Sequence, residues 1–235
     1  MELPTDRSSW NVRALLESTA TPFAIVHYAP RAAIYRQGDP CDRVMYIESG
    51  RVWMAVTAHS GKEAICGLGD AGAFLGEEAL TGCAERRQSA TAMTDTQLLV
   101  VSSADLLRLL RTEPGLVDRF VAHLLARLSR LEDNLAEQLL YSCEQRLAHL
   151  LLVLANCEEG RPSRCGLPDL SQEIIAEMVG TTRSRVNAFM SRFKKLGFIT
   201  AHRGVLYVTP ARLRAVHDGR RRVHGTSAAV VVPAP

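Results

Sequence analysis

Between residues 23 and 101 the apolar positions fall in short runs: "AIVHYAP", "AAIYRQGDP", "RVMYIESG", "RVWMAVTAHSGKEAICGLGDAGAFLGEEAL" and "TQLLVVS". Val44 with Tyr46, and Val52, Met54 and Val56, alternate with a period of two, as in strands with one face buried. Gly38-Asp39, Ser49-Gly50, Ser60-Gly61 and Gly69-Asp70 supply turn chemistry at intervals of about ten residues, which predicts a β-sandwich or barrel. A short helix over residues 10 to 19, "WNVRALLEST", leads into it.

The period then changes from two to that of a helix. "SADLLRLLRTEP" predicts a helix stopped at Pro114, and a longer one restarts from 115 to 140. In the long run Val117, Val121, Leu124, Leu128, Leu131 and Leu135 are separated by alternating steps of four and three, the a and d seam of a two-stranded coiled coil. Phe120 and Leu125 lie beside that seam and widen the stripe, so one edge of the helix also packs on the β domain. An amphipathic helix packed only on its own domain is the competing reading, but it has no need of a regular seam. A further helix, "CEQRLAHLLLVLANC", precedes the polar junction "EEGRPSRCGLPD" at 158 to 169.

Residues 170 to 198, "LSQEIIAEMVGTTRSRVNAFMSRFKKLGF", hold two helical patterns around one break. Asp169 or Ser171 caps the first, which buries Leu170, Ile174, Ile175, Met178 and Val179. Gly180 ends it in the left-handed conformation, and Thr181 or Thr182 caps the next. Such a pair of helices around a tight turn is the sequence form of a helix-turn-helix. On the second helix Val186, Phe189, Met190, Phe193 and Leu196 share one face. Ser184, Ala188, Ser191 and Lys195 lie opposite, flanked by Arg183, Asn187, Arg185 and Arg192. A face small at its middle lies deep in a major groove about 12 Å wide, where its N-terminal side chains reach base edges. Arg183 matches guanine and Asn187 adenine, although either also suits phosphate; Arg185, Arg192, Lys194 and Lys195 suit the backbone. "FITAHRGVLYVTP" then reads as strand, turn and strand, a wing whose tip offers His202 and Arg203 to phosphate.

Charge agrees with that division. Net charge is only +3, but residues 1 to 160 hold 15 Lys/Arg against 21 Asp/Glu, and residues 161 to 235 hold 13 against 4. A basic back half points to a polyanion. With 47% hydrophobic and 23% charged residues the chain has ordinary globular composition. No apolar run reaches the roughly 18 residues that span a bilayer, and "MELPTDRSSW" has no apolar core of a signal peptide, so a cytoplasmic protein without a membrane partner is expected. The six cysteines form no CxxC pair and read as small buried or half-buried hydrophobes; His123 and His149, inside apolar helical patterns, read as structural. No metal site is expected from these spacings. Catalysis has little support: Glu77-Glu78 point apart on an extended segment, and no nucleophile triad or phosphate loop is present.

Taken together, "YRQGDPCDRVMYIESGRV", "GAFLGEEAL", the Leu-rich helix and "EIIAEMVGTTRSRVNAFMSRFKKLGFI" resemble the family of cyclic-AMP receptor protein and fumarate-nitrate reductase regulators, over residues 20 to 217. The resemblance implies an α+β chain: an antiparallel β-roll of the jelly-roll type, a long dimerisation helix and a C-terminal winged helix-turn-helix. It implies a homodimer on two-fold symmetric double-stranded DNA, contact with RNA polymerase, and an effector at the roll that reorients the DNA-binding domains. Arg183, Ser184, and Asn187 or Ala188 fall at the base-reading positions; Thr182, Arg185, Arg192, His202 and Arg203 complete the DNA set. The effector pocket falls on Gly76, Glu77, Glu78, Arg87, Gln88 and Ser89. Gly76-Glu77 match the family's Gly-Glu pair, but Gln88-Ser89 stands where cyclic-AMP binders have Arg-Ser, and strand alternation turns Arg87 away from Gln88. On the long helix Leu131 and Glu132 replace the hydroxyls that face adenine, leaving Ser129 nearby. Both departures argue against cyclic AMP, and residues 1 to 40 lack the Cys cluster of the iron-sulfur branch. His27, His59 and Cys83 have no haem-binding spacing.

The expected organisation is a sensor roll over 1–112, the dimerisation helix over 113–142, the winged domain over 143–220 and a disordered tail over 221–235 with a basic triplet. The function expected is sequence-specific, homodimeric transcriptional regulation, controlled by an effector or by expression level. The alternative is a DNA-binding architectural protein without sequence preference.

Overall fold

A computed structural model describes residues 11–155, 165–202 and 205–219. The chain divides into two compact units, Met1–Leu135 and Ala136–Pro235. The expected disordered tail and the wing tip Arg203-Gly204 lie outside the described residues.

The first unit is a β-roll. Its strands are β1 (Ala24–Tyr28), β2 (Ala33–Tyr35), β3 (Arg43–Ser49), β4 (Arg51–Thr57), β5 (Glu63–Asp70), β6 (Phe74–Leu75), β7 (Ser89–Ala92) and β8 (Thr96–Ser102). One antiparallel sheet has the order β1-β8-β3-β6 and the other β2-β7-β4-β5. The run "LLVV" in β8 is apolar at successive positions because both faces of its sheet are covered. Leu98 and Val100 meet Ile47, Val52, Met54 and Ala90 between the sheets. Leu99 and Val101 meet a layer of helices: Val12 and Leu16 of α1 (Val12–Ser18), Leu106 and Leu109 of α2 (Ser103–Thr112), and Leu116 and Phe120 of α3 (Pro114–Leu140).

Caps explain where these helices begin. Asn11 accepts a hydrogen bond from the Arg13 amide at 2.9 Å, and Ser102 accepts from the Asp105 amide at 3.0 Å. Pro114 opens α3, where its missing N–H leaves no helical bond unmade.

Three expectations need correction here. Gly69-Asp70 is not a turn but the end of β5, paired with Val52 and Arg51. A Cβ on Gly69 would lie 3.0 Å from Ile47 Cδ1, so close packing accounts for that glycine. Val56 is 40% exposed, because β4 is buried continuously over Val52, Trp53, Met54 and Ala55 instead of alternating, and that run stops at Ala55. Leu125 is 59% exposed and does not pack on the roll; Leu116 and Phe120 do so instead. The described cysteines follow expectation: Cys41 is buried, and Cys66, Cys83, Cys143 and Cys165 are half-buried, while Cys157 lies outside the described residues.

The second unit contains α4 (Cys143–Leu154), β9 (Cys165–Gly166), α5 (Gln172–Val179), α6 (Arg183–Lys195), β10 (Ile199–His202), β11 (Val205–Val208) and α7 (Pro210–His217). Ser142 starts α4 with a reciprocal capping box to Gln145. The core joins Leu147, Leu151, Ile175, Val179, Val186, Met190, Phe193, Ile199, Val208 and Leu213. Neither β9 nor α7 is expected from the sequence. β9 pairs with β11 and makes the wing three-stranded, and α7 closes the core through Leu213.

Phe193 is fully buried at the centre of this core. Phe193→Ala is expected to cost roughly 3–5 kcal/mol, read as a lowered midpoint for the second unit in chemical denaturation. A loss under about 1 kcal/mol would contradict the packing described.

Candidate nucleic-acid interface and effector site

Helix α6 owes its orientation to one face. Val186, Met190 and Phe193 are at most 3% exposed, whereas Arg183, Ser184, Arg185, Asn187, Ala188, Ser191, Arg192, Lys194 and Lys195 are all exposed. Of the expected inner face, Phe189 is half-buried, and Leu196 is 41% exposed because it already lies at the C-cap. The open choices of cap resolve to Ser171, accepting from the Ile174 amide at 3.3 Å, and Thr182, accepting from the Arg185 amide at 3.4 Å. Between them Gly180 has φ +69°, the left-handed conformation that turns the chain from α5 into α6.

The polar side chains of α6 are held by partners on other helices. Arg183 pairs with Glu173 at 2.8 Å, and Arg192 pairs with Glu144 at 3.1 Å. Asn187 accepts from Gln172 at 3.5 Å. A backbone hydrogen bond, reinforced by Arg183, holds the Glu173 carboxyl below its ordinary range despite some opposing desolvation. Exposed pairs of this kind are worth under about 1 kcal/mol, so a phosphate or a base edge can take the arginines over. Arg192, Lys194 and Lys195 also sit in the last turn, where the helix dipole favours cations. His202 is exposed at the end of β10, and Arg203 lies outside the described residues.

On α3 the heptad seam faces solvent. Val121, Leu124, Leu128, Leu131 and Leu135 are 37–61% exposed, and Val117 is half-buried. The face packed on the roll is a different one, Leu116, Phe120, His123 and Arg127.

At the roll, Gly76 caps a 3-10 turn, Glu77–Thr81, with φ +73°. A Cβ there would come 2.2 Å from Arg86 Nη1. Glu77 accepts from Arg127, and His123 Nε2 stands 3.6 Å away. Burial pushes the Glu77 carboxyl up, but His123, Arg127 and a backbone hydrogen bond outweigh it and hold the group below its ordinary range. Arg87, expected in the pocket, is exposed, whereas its neighbour Arg86 is buried. Arg86 donates to the carbonyls of Gly76 at 3.2 Å and Arg43 at 2.6 Å, lies 3.6 Å from Glu78, and stacks 4.5 Å from the Tyr35 ring centroid. Gln88 is buried and accepts from the Cys66 thiol at 3.3 Å; Ser89 accepts from the Gln37 amide at 3.0 Å. Arg86 has the same parity as Gln88, a signal that was present in the sequence. His123 and Arg127 had none, since their partner lies about fifty residues away on another element.

Residues 25–113 match the model of the cyclic nucleotide-binding domain, and residues 145–216 match that of the Crp-like helix-turn-helix domain. The chain is similar to the CRP-like cAMP-activated global transcriptional regulator of Mycobacterium tuberculosis, 30% identical over 71% of this chain and 75% of the relative. The cyclic AMP receptor protein of Thermus thermophilus is 33% identical over 79% of this chain and 84% of the relative. The chain belongs to the Crp/Fnr family of transcriptional regulators. Two solved structures share the fold. The c-di-GMP responsive regulator of Xanthomonas campestris has a TM-score of 0.72 at 20% identity, over 84% of this chain and 99% of that one. A Crp/Fnr regulator of Thermus thermophilus has a TM-score of 0.71 at 24% identity, over 84% of this chain and all of that one. As a Crp/Fnr member the protein is a transcriptional regulator with a helix-turn-helix DNA-binding domain and is not an enzyme. Among the described residues no helix is long and apolar enough to cross a membrane.

The half-buried Glu77 gives this Crp/Fnr roll a pH dependence whose sign follows from its lowered pKa. Its folded form releases the proton more readily than the unfolded chain, so its contribution is complete above the unfolded value of about 4.5 and is lost as pH falls through the lower folded value. Glu77→Gln is expected to melt below the wild type at pH 7, with the gap closing as pH falls below about 4.5. Equal gaps at pH 7 and at about pH 3.5 in paired thermal melts would refute this role for Glu77.

Proposed function

We propose that this regulator acts as a homodimer that reads a two-fold symmetric DNA site through α6. The single observation that carries the reading is the exposed, small-centred basic face of α6 opposite a fully buried one. Arg183, Ser184, and Asn187 or Ala188 address base edges, while Thr182, Arg185, Arg192, Lys194, Lys195, His202 and Arg203 contact the phosphate backbone. The second copy covers the seam Val117, Val121, Leu124, Leu128, Leu131 and Leu135. Each of these leucines is at least 37% exposed on one chain, and their four-three spacing suits a parallel partner helix better than a flat surface. RNA polymerase is the partner proposed once the dimer is on DNA.

Effector control is assigned to the roll, with a ligand other than cyclic AMP. Glu77 and Glu78 stand against Arg127 and Arg86, two carboxylates against two guanidiniums, so the site holds no surplus positive charge for a cyclic phosphate. Gln88 is neutral and already bonded to Cys66. Glu77 Oε2, Glu78 Oε1, Arg86 Nε and His123 Nε2 are buried without hydrogen-bond partners. That mixture of acceptors and donors suits a neutral polar ligand. An effector acts only by binding one arrangement of the dimer more tightly than another.

Selection of bound duplexes from a random pool is expected to return a palindrome with half-sites roughly one helical turn, or 34 Å, apart. Arg183→Ala with Asn187→Ala is expected to weaken the selected site by about 10- to 100-fold while leaving binding to random DNA nearly unchanged. Recovery of no preferred sequence, with affinity falling steeply in salt, would establish the architectural alternative instead. Leu128→Asp with Leu131→Asp is expected to give a monomer in sedimentation, and a wild-type chain that stays monomeric at high concentration would reject the dimer. Calorimetry with cyclic AMP is expected to show no binding at micromolar concentrations, and saturable heat there would overturn the assignment of the roll.

A further inference from the structure

Three side chains far apart in the sequence meet inside the second unit. Glu137 comes from the last turn of α3, His149 from the middle of α4 and His217 from the end of α7. Glu137 Oε1 lies 3.3 Å from His149 Nε2 and 3.7 Å from His217 Nε2, and all three donor atoms fall within 4.8 Å of one another. We propose that Glu137, His149 and His217 form a binding site for a divalent late transition ion, Zn²⁺ above all.

Donor chemistry selects the class of ion. Two imidazole nitrogens and one carboxylate oxygen suit Zn²⁺ and disfavour Ca²⁺ or Mg²⁺, which require oxygen shells. Tetrahedral bonds of about 2.0–2.2 Å place neighbouring donors roughly 3.3 Å apart. Two of the separations are already close to that value, and small ring rotations bring in the third. Three protein ligands leave a fourth position for water.

The surroundings fit a ligand set better than a chance contact. His217 Nε2 is buried and has no hydrogen-bond partner, although Glu137 stands nearby; a metal bond would use that lone pair. The Tyr141 ring stacks on His217, with centroids 4.9 Å apart and planes 19° from parallel, which fixes the imidazole plane. Gln145 donates to the His217 carbonyl at 3.0 Å and anchors the end of α7. The rings of His149 and His217 are 4.8 Å apart, close enough to share one ion. Side chains are 41%, 20% and 20% exposed for His149, His217 and Glu137, so an ion can enter without unfolding the site. Bound there, it ties the last turn of α3 to α4 and α7 of the DNA-binding unit.

The proposal does not rest on DNA recognition, and its test contains no DNA. Full-length, metal-free protein is titrated with Zn²⁺, and with Co²⁺ as a spectroscopic substitute. One equivalent is expected to bind per chain and to raise the melting temperature by several degrees, because an ion held only by the folded state stabilises it. Bound Co²⁺ is expected to show visible ligand-field bands without a thiolate charge-transfer band. His149→Ala and His217→Ala are expected to weaken Zn²⁺ binding on the order of 100-fold and Glu137→Gln by about 10-fold, while Cys143→Ser leaves it unchanged. Should the alanine variants fail to fold, the wild-type Co²⁺ spectrum and Glu137→Gln decide the matter. Absence of stoichiometric uptake, a thiolate band, or uptake undiminished in the folded variants would each overturn the site, leaving Glu137 as a plain ion-pair partner of the two histidines.

Discussion

Burial of Val186, Met190 and Phe193 is the constraint on which the DNA reading depends. A helix with one face sunk in a core has no rotational freedom, so its remaining residues are assigned to solvent by geometry. In α6 that geometry sets Arg183, Ser184, Asn187 and Ala188 outward near the N-terminus and the cations Arg192, Lys194 and Lys195 outward near the C-terminus. Base edges need short polar groups that approach closely, and phosphates need charges at the periphery. The same logic divides α3 between a face under the roll, with Leu116 and Phe120, and a solvent face that carries the leucine seam.

Electrostatics at the roll are the ground for proposing an effector other than cyclic AMP. The relatives from Mycobacterium and Thermus are named for cyclic AMP, and the Gly-Glu pair is retained here as Gly76-Glu77. Binding a phosphate, however, requires a cation that the protein has not already neutralised. Arg86 is committed to two carbonyls, Tyr35 and Glu78, and Arg127 is committed to Glu77. Displacing either would leave a half-buried carboxylate without its partner, which is unfavourable.

Much of this was legible in the sequence, for identifiable reasons. The strands, the seam, the turn at Gly180 and the outward face of α6 follow from periodicity and local turn chemistry, which act over a few residues. Caps were legible only as pairs of candidates, since Asp169 against Ser171 and Thr181 against Thr182 differ by hydrogen bonds seen in three dimensions. Gly69 misled because a glycine that ends a run usually marks a turn, whereas here it makes room for Ile47. Alternation from Gln88 already favoured Arg86 over Arg87, but the partners that commit Arg86, the carbonyls of Gly76 and Arg43 and the Glu78 carboxylate, are visible only in three dimensions. His123, Arg127 and His217 had no local signal at all: each gains its meaning from a residue dozens of positions away.

Helix α3 also explains why a single mutation in this protein should rarely have a single effect. Along its 27 residues it carries His123 and Arg127 toward the roll site, Leu124, Leu128 and Leu131 on the seam, and Glu137 beside two histidines. Neighbouring positions on one helix share backbone hydrogen bonds and axis, so a ligand that shifts Arg127 or an ion that holds Glu137 acts on the element that presents the seam. Such coupling is reciprocal by linkage: in the proposed dimer, whatever a ligand at the roll does to the seam, the seam does to ligand affinity in equal measure.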